Sequence, residues 1–437
     1  MTTLGELNGL AQTKWDQGDH QGALKILRLI LEAAPLDFGV RLRIADCLGA
    51  LNQPQLADAV YLAVAVHGIK AGLPLLAAVA IKSLGPENAQ REGLIHDLAT
   101  WYGKESPRLG RGVRPAPTDW SAPVRDDLDL DFSMDEAGLC HSTAQMAAYL
   151  DNIANYPERV PPVALFAGLP GAAVERVLSV LKLRRCESGE IVVREGEPGK
   201  EFFVIARGSV TIYRGADQKV QTLAELGEGS ILGEMAVLAA EPRVASVRTK
   251  EQTDFLVFSR RALAALADDL PQVANLLERF ATERLVRNLI NTAPIFAPFD
   301  QEQRQSLLQR FEAHKIAAGT VVIRQGEEAR GIYLLLYGAV SVERTEASGE
   351  RVALATLGGG ESFGEISCVQ GRPTTAEVQT VRESTIMFLP KEHFDRLVEA
   401  VPAVADYYTD LSVQRLIENR RAAETNDVVL HDGIVRL

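Results

Sequence analysis

The latter part of the chain repeats itself. Phe166 recurs as Phe296, Gly189 as Gly319, Gly196 as Gly326 and Gly208 as Gly338, each pair 130 residues apart. Past one inserted residue, Gly233 recurs as Gly364, Glu234 as Glu365 and Pro242 as Pro373, each 131 apart. Two copies of one domain are therefore fused in tandem. Each copy opens with an apolar helical pattern (Val174 to Leu183; Gln303 to Phe311) and closes with helices (Arg261 to Asn291; Lys391 to about Ala423). Between them lie short apolar runs separated by glycine turns. In the first copy these are residues 190–194, 201–206, 209–213 and 221–226. Short strands in even succession with glycine turns predict a barrel or jelly roll.

At roughly 150 residues per domain, a chain of 437 has room for one further unit. Residues 1–102 read as helical. Leu7, Leu10, Ala11 and Trp15 share one helical face, Gly18-Asp19 breaks it, and Ala23, Leu24, Leu27, Ile30 and Leu31 form a second face that ends at Pro35. The run from Trp15 to Pro35 resembles the tetratricopeptide pattern, whose repeat is about 34 residues long. Asn52 follows Gly18 by 34, Ala57 follows Ala23 by 34, and Tyr61 follows Leu27 by 34. Leu73 to Leu84 and Glu92 to Trp101 would make a third helical pair. A solenoid of this kind presents a groove to a protein partner; a helical cap packed on the rest of the chain is the alternative.

Residues 103–162 read as a linker, partly disordered, with one short helix from Ser142 to Ile153. The linker holds a Gly/Pro/Arg-rich stretch and then an acidic run, Asp126 to Glu136. The expected division is thus helical repeats (1–102), linker (103–162), first domain (163–292), second domain (293–423) and tail (424–437). The fold class is a multidomain α+β chain: an α-helical, tetratricopeptide-like module followed by two β jelly rolls with flanking helices.

The chemistry-bearing segment of the first copy is Ile231 to Val247. Gly233 allows close backbone approach, and the short helix expected after it would aim free N–H groups outward, toward an anion. Arg243 brings a planar, permanently charged fork suited to phosphate. Glu234 is an acceptor for a sugar hydroxyl. An anion pocket beside a hydroxyl acceptor, inside a barrel, suits a ribose-phosphate.

Residues 232–247 resemble the phosphate-binding cassette of cyclic nucleotide-binding domains, with Leu232 in place of the usual Phe and Val237 in place of Leu. Gly189, Gly196, Gly199 and Gly208 match the strand–turn pattern upstream, and the resemblance extends over residues 163 to about 420. It implies that Arg243 binds the exocyclic phosphate oxygens and Glu234 accepts from the ribose 2′-hydroxyl. The backbone N–H groups of Ala236 and Val244 would complete the cradle. Gly233, Met235 and Ala245 fall in the same ligand-binding segment. Val244 stands where members that favour cGMP carry Thr, so cAMP is the expected ligand and cGMP the lesser one.

The second copy departs from the pattern. Phe363, Gly364, Glu365 and Ser367 fit the cassette, with Thr375 beside it, but Thr374 stands at the arginine position. A phosphate held there would lack its cation. The domain is then degenerate and kept for packing or signal relay, or it binds weakly and in a non-standard way, or it still binds cAMP normally; Arg372, beyond Pro373, could substitute only through a changed loop. Tyr407 and Tyr408 are candidate stacking residues, or core.

The net charge of −12 argues against a protein that coats nucleic acid, and only about 15 residues follow the second domain, too few for a helix-turn-helix. No apolar run reaches the ~20 residues that span a bilayer. No signal peptide is visible, and the four cysteines lie far apart without metal spacing, so a cytoplasmic compartment is expected. The 35 Arg against 11 Lys point to a GC-rich, bacterial genome. With no kinase, Walker or cyclase pattern, the chain reads as a non-enzymatic cAMP receptor whose partner binds the N-terminal repeats; the alternatives are a scaffold with vestigial pockets and a regulatory subunit of a protein kinase. Against the last, residues 103–162 hold no Arg-Arg inhibitor sequence, and Arg184-Arg185 fall at an expected strand.

Overall fold

The computed structural model describes residues 2–432 apart from 113–115, 125–133, 151–155, 164, 167, 216–220, 234–242, 244, 271–278, 280–281, 283–285, 287–288 and 291–292; side chains at 263, 267–269, 294 and 419–432 are not described. The acidic run, most of the helical stretch 271–291 and the last five residues therefore lie outside the described residues. The chain divides into two compact units, Met1–Glu278 and Arg279–Leu437.

The first unit begins with six helices: α1 (Leu4–Asp16), α2 (His20–Ala33), α3 (Phe38–Ala50), α4 (Pro54–Ala71), α5 (Pro74–Ser83) and α6 (Arg91–Tyr102). Their starts are written in the sequence. Thr3 and Glu6 close a capping box on α1, the Asp19 and Asp37 carboxylates cap α2 and α3, and proline opens α4 and α5. Successive helices pack on one another as hairpins. Gly18 and Asn52, 34 residues apart, both have positive φ, +77° and +58°, so the same left-handed turn recurs at that spacing. The segment read as a linker contributes α7 (Glu136–Ala148), which starts at Glu136 rather than Ser142 and packs on α2, α3 and α4. Arg28 Nη1 donates to the Ser142 hydroxyl (2.8 Å), and the buried Arg41 donates to the carbonyls of Ala147 and Met146 at the helix's C-terminal end.

Helix α8 (Gly171–Val180) leads into eight strands: β1 (Lys182–Cys186), β2 (Ile191–Val193), β3 (Glu201–Arg207), β4 (Val210–Arg214), β5 (Gln221–Leu226), β6 (Ile231–Leu232), β7 (Ser246–Thr249) and β8 (Thr253–Ser259). They form two antiparallel sheets, ordered β1-β8-β3-β6 and β2-β7-β4-β5. Phe203, Ile205, Phe255 and Val257 from the first sheet meet Val193, Val210 and Val247 from the second, which makes a sandwich core. Helix α9 (Arg260–Asp269) follows.

The second unit repeats this plan. Helix α10 (Gln301–Leu308) precedes β9 (Glu312–Ile316), β10 (Val321–Ile323), β11 (Gly331–Tyr337), β12 (Ala339–Thr345), β13 (Arg351–Gly358), β14 (Ser362–Phe363), β15 (Glu377–Thr380) and β16 (Ser384–Pro390). The sheet orders β9-β16-β11-β14 and β10-β15-β12-β13 are those of the first copy with every number raised by eight. Among the described residues, α11 (Glu365–Gln370), α12 (Lys391–Ala400) and α13 (Pro402–Asp432) accompany them. Pro402 divides the closing helix in two, and α13 runs past Ala423, where the sequence reading ended it.

In both copies the central strand is apolar on both faces, the pattern of a strand covered twice. Phe203 and Ile205 of β3 face the sandwich core, while Phe202, Val204 and Ala206 are buried on the opposite face, and α5 packs on β3 and β1. The N-terminal helices therefore form a cap on the first jelly roll. Four charged side chains tie the two together. Arg185 lies 2.6 Å from Asp46 and 2.7 Å from Asp254; Arg207 lies 3.0 Å from Asp46 and 2.7 Å from Asp254. Asp46 belongs to α3, the others to β1, β3 and β8. Burial alone would raise the Asp254 carboxyl, but Arg207 and Arg185 outweigh it and hold it below the ordinary carboxylate range.

Candidate functional site

In the first jelly roll, Arg243 is fixed through its backbone. Its N–H donates to the Glu197 carbonyl and its own carbonyl accepts from Gly196 N–H, both at 2.8 Å. Its guanidinium turns back to the start of the cassette: Nη1 donates to the Gly233 carbonyl (2.8 Å) and Nη2 to the Glu201 carbonyl (2.5 Å), 5.9 Å from the Phe203 ring. Gly233 has φ +80°, and a Cβ there would overlap the guanidinium. Glycine is thus needed twice, for the left-handed backbone and for the close approach. Ala245, two residues after Arg243, is half-buried. Glu234, Met235, Ala236 and Val244, the other residues assigned to this pocket, lie outside the described residues.

In the second jelly roll, the same backbone pairing recurs one for one. Thr374 N–H donates to the Glu327 carbonyl and Gly326 N–H donates to the Thr374 carbonyl, again both at 2.8 Å. Thr374 therefore occupies the place of Arg243 in space, and the inserted residue is absorbed before it. Its hydroxyl lies on the carbonyls of Arg324 (2.5 Å) and Glu327 (3.1 Å). Arg372 is exposed and does not line the cavity that Thr374 and Thr375 border.

That cavity, about 140 Å³, has apolar walls that include Ile323, Val342, Leu357, Phe363 and Val378. Phe363 is buried and stacks on Tyr333 at 5.0 Å. Gly364 has φ +84°, and Ser367 is buried. Glu365, 1% exposed, meets Arg415 of α13: Arg415 Nη1 donates to Glu365 Oε1 (2.7 Å) and to the Ser362 carbonyl (2.5 Å). Burial pushes the Glu365 carboxyl up, with Arg415 opposing it. Tyr408 is buried in the helical core against Phe394, and Tyr407 packs beside it; neither lines the cavity.

Sequence reasoning missed Arg415, which reaches the cassette from 50 residues away and carries no local signal. It also missed the Asp46–Arg185–Arg207–Asp254 cluster. A signal existed there, because Arg207 and Asp254 end or interrupt strongly apolar strands, where a charge needs a partner.

The cyclic nucleotide-binding domain matches residues 183–269 and 313–401, one stretch in each jelly roll. The two matched stretches stand in tandem, one per copy of the repeat. It is similar to the cAMP-dependent protein kinase type II regulatory subunit of Drosophila melanogaster, 28% identical over 55% of this chain and 61% of that one. The cAMP-dependent protein kinase regulatory subunit of Yarrowia lipolytica is also 28% identical, over 54% and 59%. The chain thus spans about six-tenths of the length of these curated relatives. Among solved structures, the regulatory domain of Toxoplasma gondii PKA with cAMP is similar at 19% identity and a TM-score of 0.28, over 57% of this chain and 92% of that one. The two curated relatives are eukaryotic and lend no support to the bacterial source expected from composition. No described helix is long and apolar enough to cross a membrane.

Proposed function

We propose that the protein is a non-enzymatic, cytoplasmic cAMP receptor that binds its ligand in the first jelly roll and relays the event to a protein partner. The observation that carries this reading is the placement of Arg243, whose guanidinium is drawn by two main-chain carbonyls onto the Gly233 turn. Oriented there, an arginine fork meets a phosphate bidentately. Glu234 would take the ribose 2′-hydroxyl, with Met235, Ala236, Val244 and Ala245 completing the cassette.

The N-terminal helices are proposed to be tetratricopeptide-like, on the 34-residue recurrence of the Gly18 and Asn52 turns, and to hold the partner on faces that α7 leaves uncovered. A kinase catalytic subunit is a second candidate partner, because the relatives named above are kinase regulatory subunits. Arg185 does not serve that reading as an inhibitor sequence, since its guanidinium is engaged by Asp46 and Asp254. All four cysteines are buried and unpaired, which fits a reducing compartment.

Calorimetry on the full chain tests the ligand. cAMP should bind the first jelly roll, more tightly than cGMP. Arg243→Ala should weaken that binding by about 2–5 kcal/mol, the cost of truncating one partner of a desolvated charge pair. Unchanged cAMP affinity in Arg243→Ala, or no heat with either nucleotide, would overturn the proposal.

A further inference from the structure

The second jelly roll keeps one half of a nucleotide site and lacks the other. Gly364 and the buried Glu365 stand at the cavity, at the positions equivalent to Gly233 and Glu234, the latter proposed above to take the ribose. At the phosphate position the structure has Thr374, uncharged and with its hydroxyl on two main-chain carbonyls. The charges around the cavity point the same way. Glu361, Glu365 and Glu418 line it against a single guanidinium, Arg415, which is itself engaged by Glu365 and the Ser362 carbonyl. A phosphate entering there would meet an excess of carboxylates and no uncommitted cation among the described lining residues, which is costly in a low-dielectric site. A neutral ligand meets no such barrier. A flat ring suits the apolar walls of Ile323, Leu357, Phe363 and Val378. Vicinal hydroxyls suit Glu365, because an ionised carboxylate accepts about four hydrogen bonds and Arg415 is seen to use only one on Oε1.

We propose that the second jelly roll binds an uncharged ribonucleoside, with the base between the apolar walls and the ribose diol on Glu365. The inference rests on reading this barrel as a nucleotide-type pocket, but it is independent of what the first barrel binds.

The test uses the full chain carrying Arg243→Ala together with Glu234→Ala, which removes from the first pocket both the phosphate fork and the ribose acceptor proposed above. Calorimetry is run with adenosine, guanosine, 2′-deoxyadenosine, 2′-deoxyguanosine and cAMP as probes. Adenosine or guanosine should bind at about one per chain. The matching 2′-deoxynucleoside should bind about tenfold or more weakly, since it lacks a hydroxyl for a charged acceptor, and Glu365→Gln should cause a loss of similar size. cAMP should bind at least about tenfold more weakly than the tighter nucleoside.

Thr374→Arg supplies a second arm. The backbone of Thr374 is held as that of Arg243 is, so an arginine is accommodated, and it should reverse the preference toward cAMP. This arm keeps the proposal testable if Glu365→Gln fails to fold by circular dichroism. The proposal is overturned if neither nucleoside binds, if cAMP binds the Arg243→Ala/Glu234→Ala chain as tightly as the nucleoside does, or if Thr374→Arg leaves the preference unchanged. The unsubstituted chain titrated with cAMP reports the first pocket separately, so failure of that reading and failure of this one are distinguishable.

Discussion

Asp46→Ala should unfasten the helical cap from the first jelly roll. Asp46 is buried to 5% exposure and accepts from Arg185 (2.6 Å), Arg207 (3.0 Å) and the Tyr61 hydroxyl (2.6 Å). Removing it leaves two guanidiniums on one carboxylate, Asp254, and strands a buried hydroxyl. Breaking a buried pair in this way costs about 3–5 kcal/mol. Arg185 keeps a quarter of its side chain in water and can rehydrate, so the lower end, about 3 kcal/mol, is expected.

The assay is built into the sequence, because the three tryptophans, Trp15, Trp101 and Trp120, all precede the first jelly roll. Tryptophan emission during urea unfolding therefore reports on the cap. With a slope of about 2 kcal/mol/M, the midpoint should fall by about 1–2 M. The double variant Asp46→Ala/Arg207→Met restores one carboxylate to one guanidinium, the Arg185–Asp254 pair at 2.7 Å. It should be more stable than the sum of the singles predicts, by about 1.5 kcal/mol. A midpoint within about 0.3 M of the unsubstituted chain, or strictly additive singles, would refute the view that this cluster fastens the cap.

Two further variants probe the cassettes. Gly233→Ala puts a side chain on a φ of +80° and against the Arg243 guanidinium. The strain is about 1–3 kcal/mol, so calorimetry should show cAMP affinity reduced about tenfold or more; native affinity would contradict the close-approach argument. Arg415→Ala leaves Glu365 buried without its cation and raises a carboxyl already pushed up by burial. A carboxyl raised in the folded state favours folding at low pH, and that contribution fades as pH rises from its unfolded value of about 4 through the folded one. The second unit's melting temperature in this variant, read by calorimetry, should therefore drop more at pH 7 than at pH 5. An equal drop at both pH values would count against it.

The duplication was legible because it is written chiefly in glycines, with one glutamate, one proline and one phenylalanine beside them, and most of these have places set by backbone geometry or cassette chemistry. It led directly to two jelly rolls of one topology. The helical hairpins were legible for a similar reason: Asp19, Gly18 and Pro35 punctuate them locally. Helix α7 was read only in part, because its buried face holds one large apolar residue, Leu139, and is otherwise small, with Cys140, Thr143, Ala144 and Ala147. What fixes it are Arg28 and Arg41, more than 100 positions away. The missing cation at position 374 was visible in one line of sequence. Its consequence for the pocket was not, because Arg415 and Glu418 arrive from a helix whose face toward the cavity depends on how α13 packs.

Strand β3 joins these features into one argument. Its first residue, Glu201, offers the carbonyl that holds Arg243; its last, Arg207, enters the charged cluster with Asp46 of α3. Seven extended residues, roughly 20 Å, thus connect the proposed ligand site to the helical cap through a strand buried on both faces. A ligand that draws Arg243 off the Glu201 carbonyl acts at one end of that strand, and it can influence the cap only by binding two arrangements of the unit with different affinity. Such coupling is reciprocal. If it runs through β3, Asp46→Ala must alter cAMP affinity by the same factor by which cAMP alters the equilibrium that Asp46 biases. A receptor whose affinity is indifferent to Asp46, and whose cap stability is indifferent to cAMP beyond simple mass action, would relay its signal by another route than this strand.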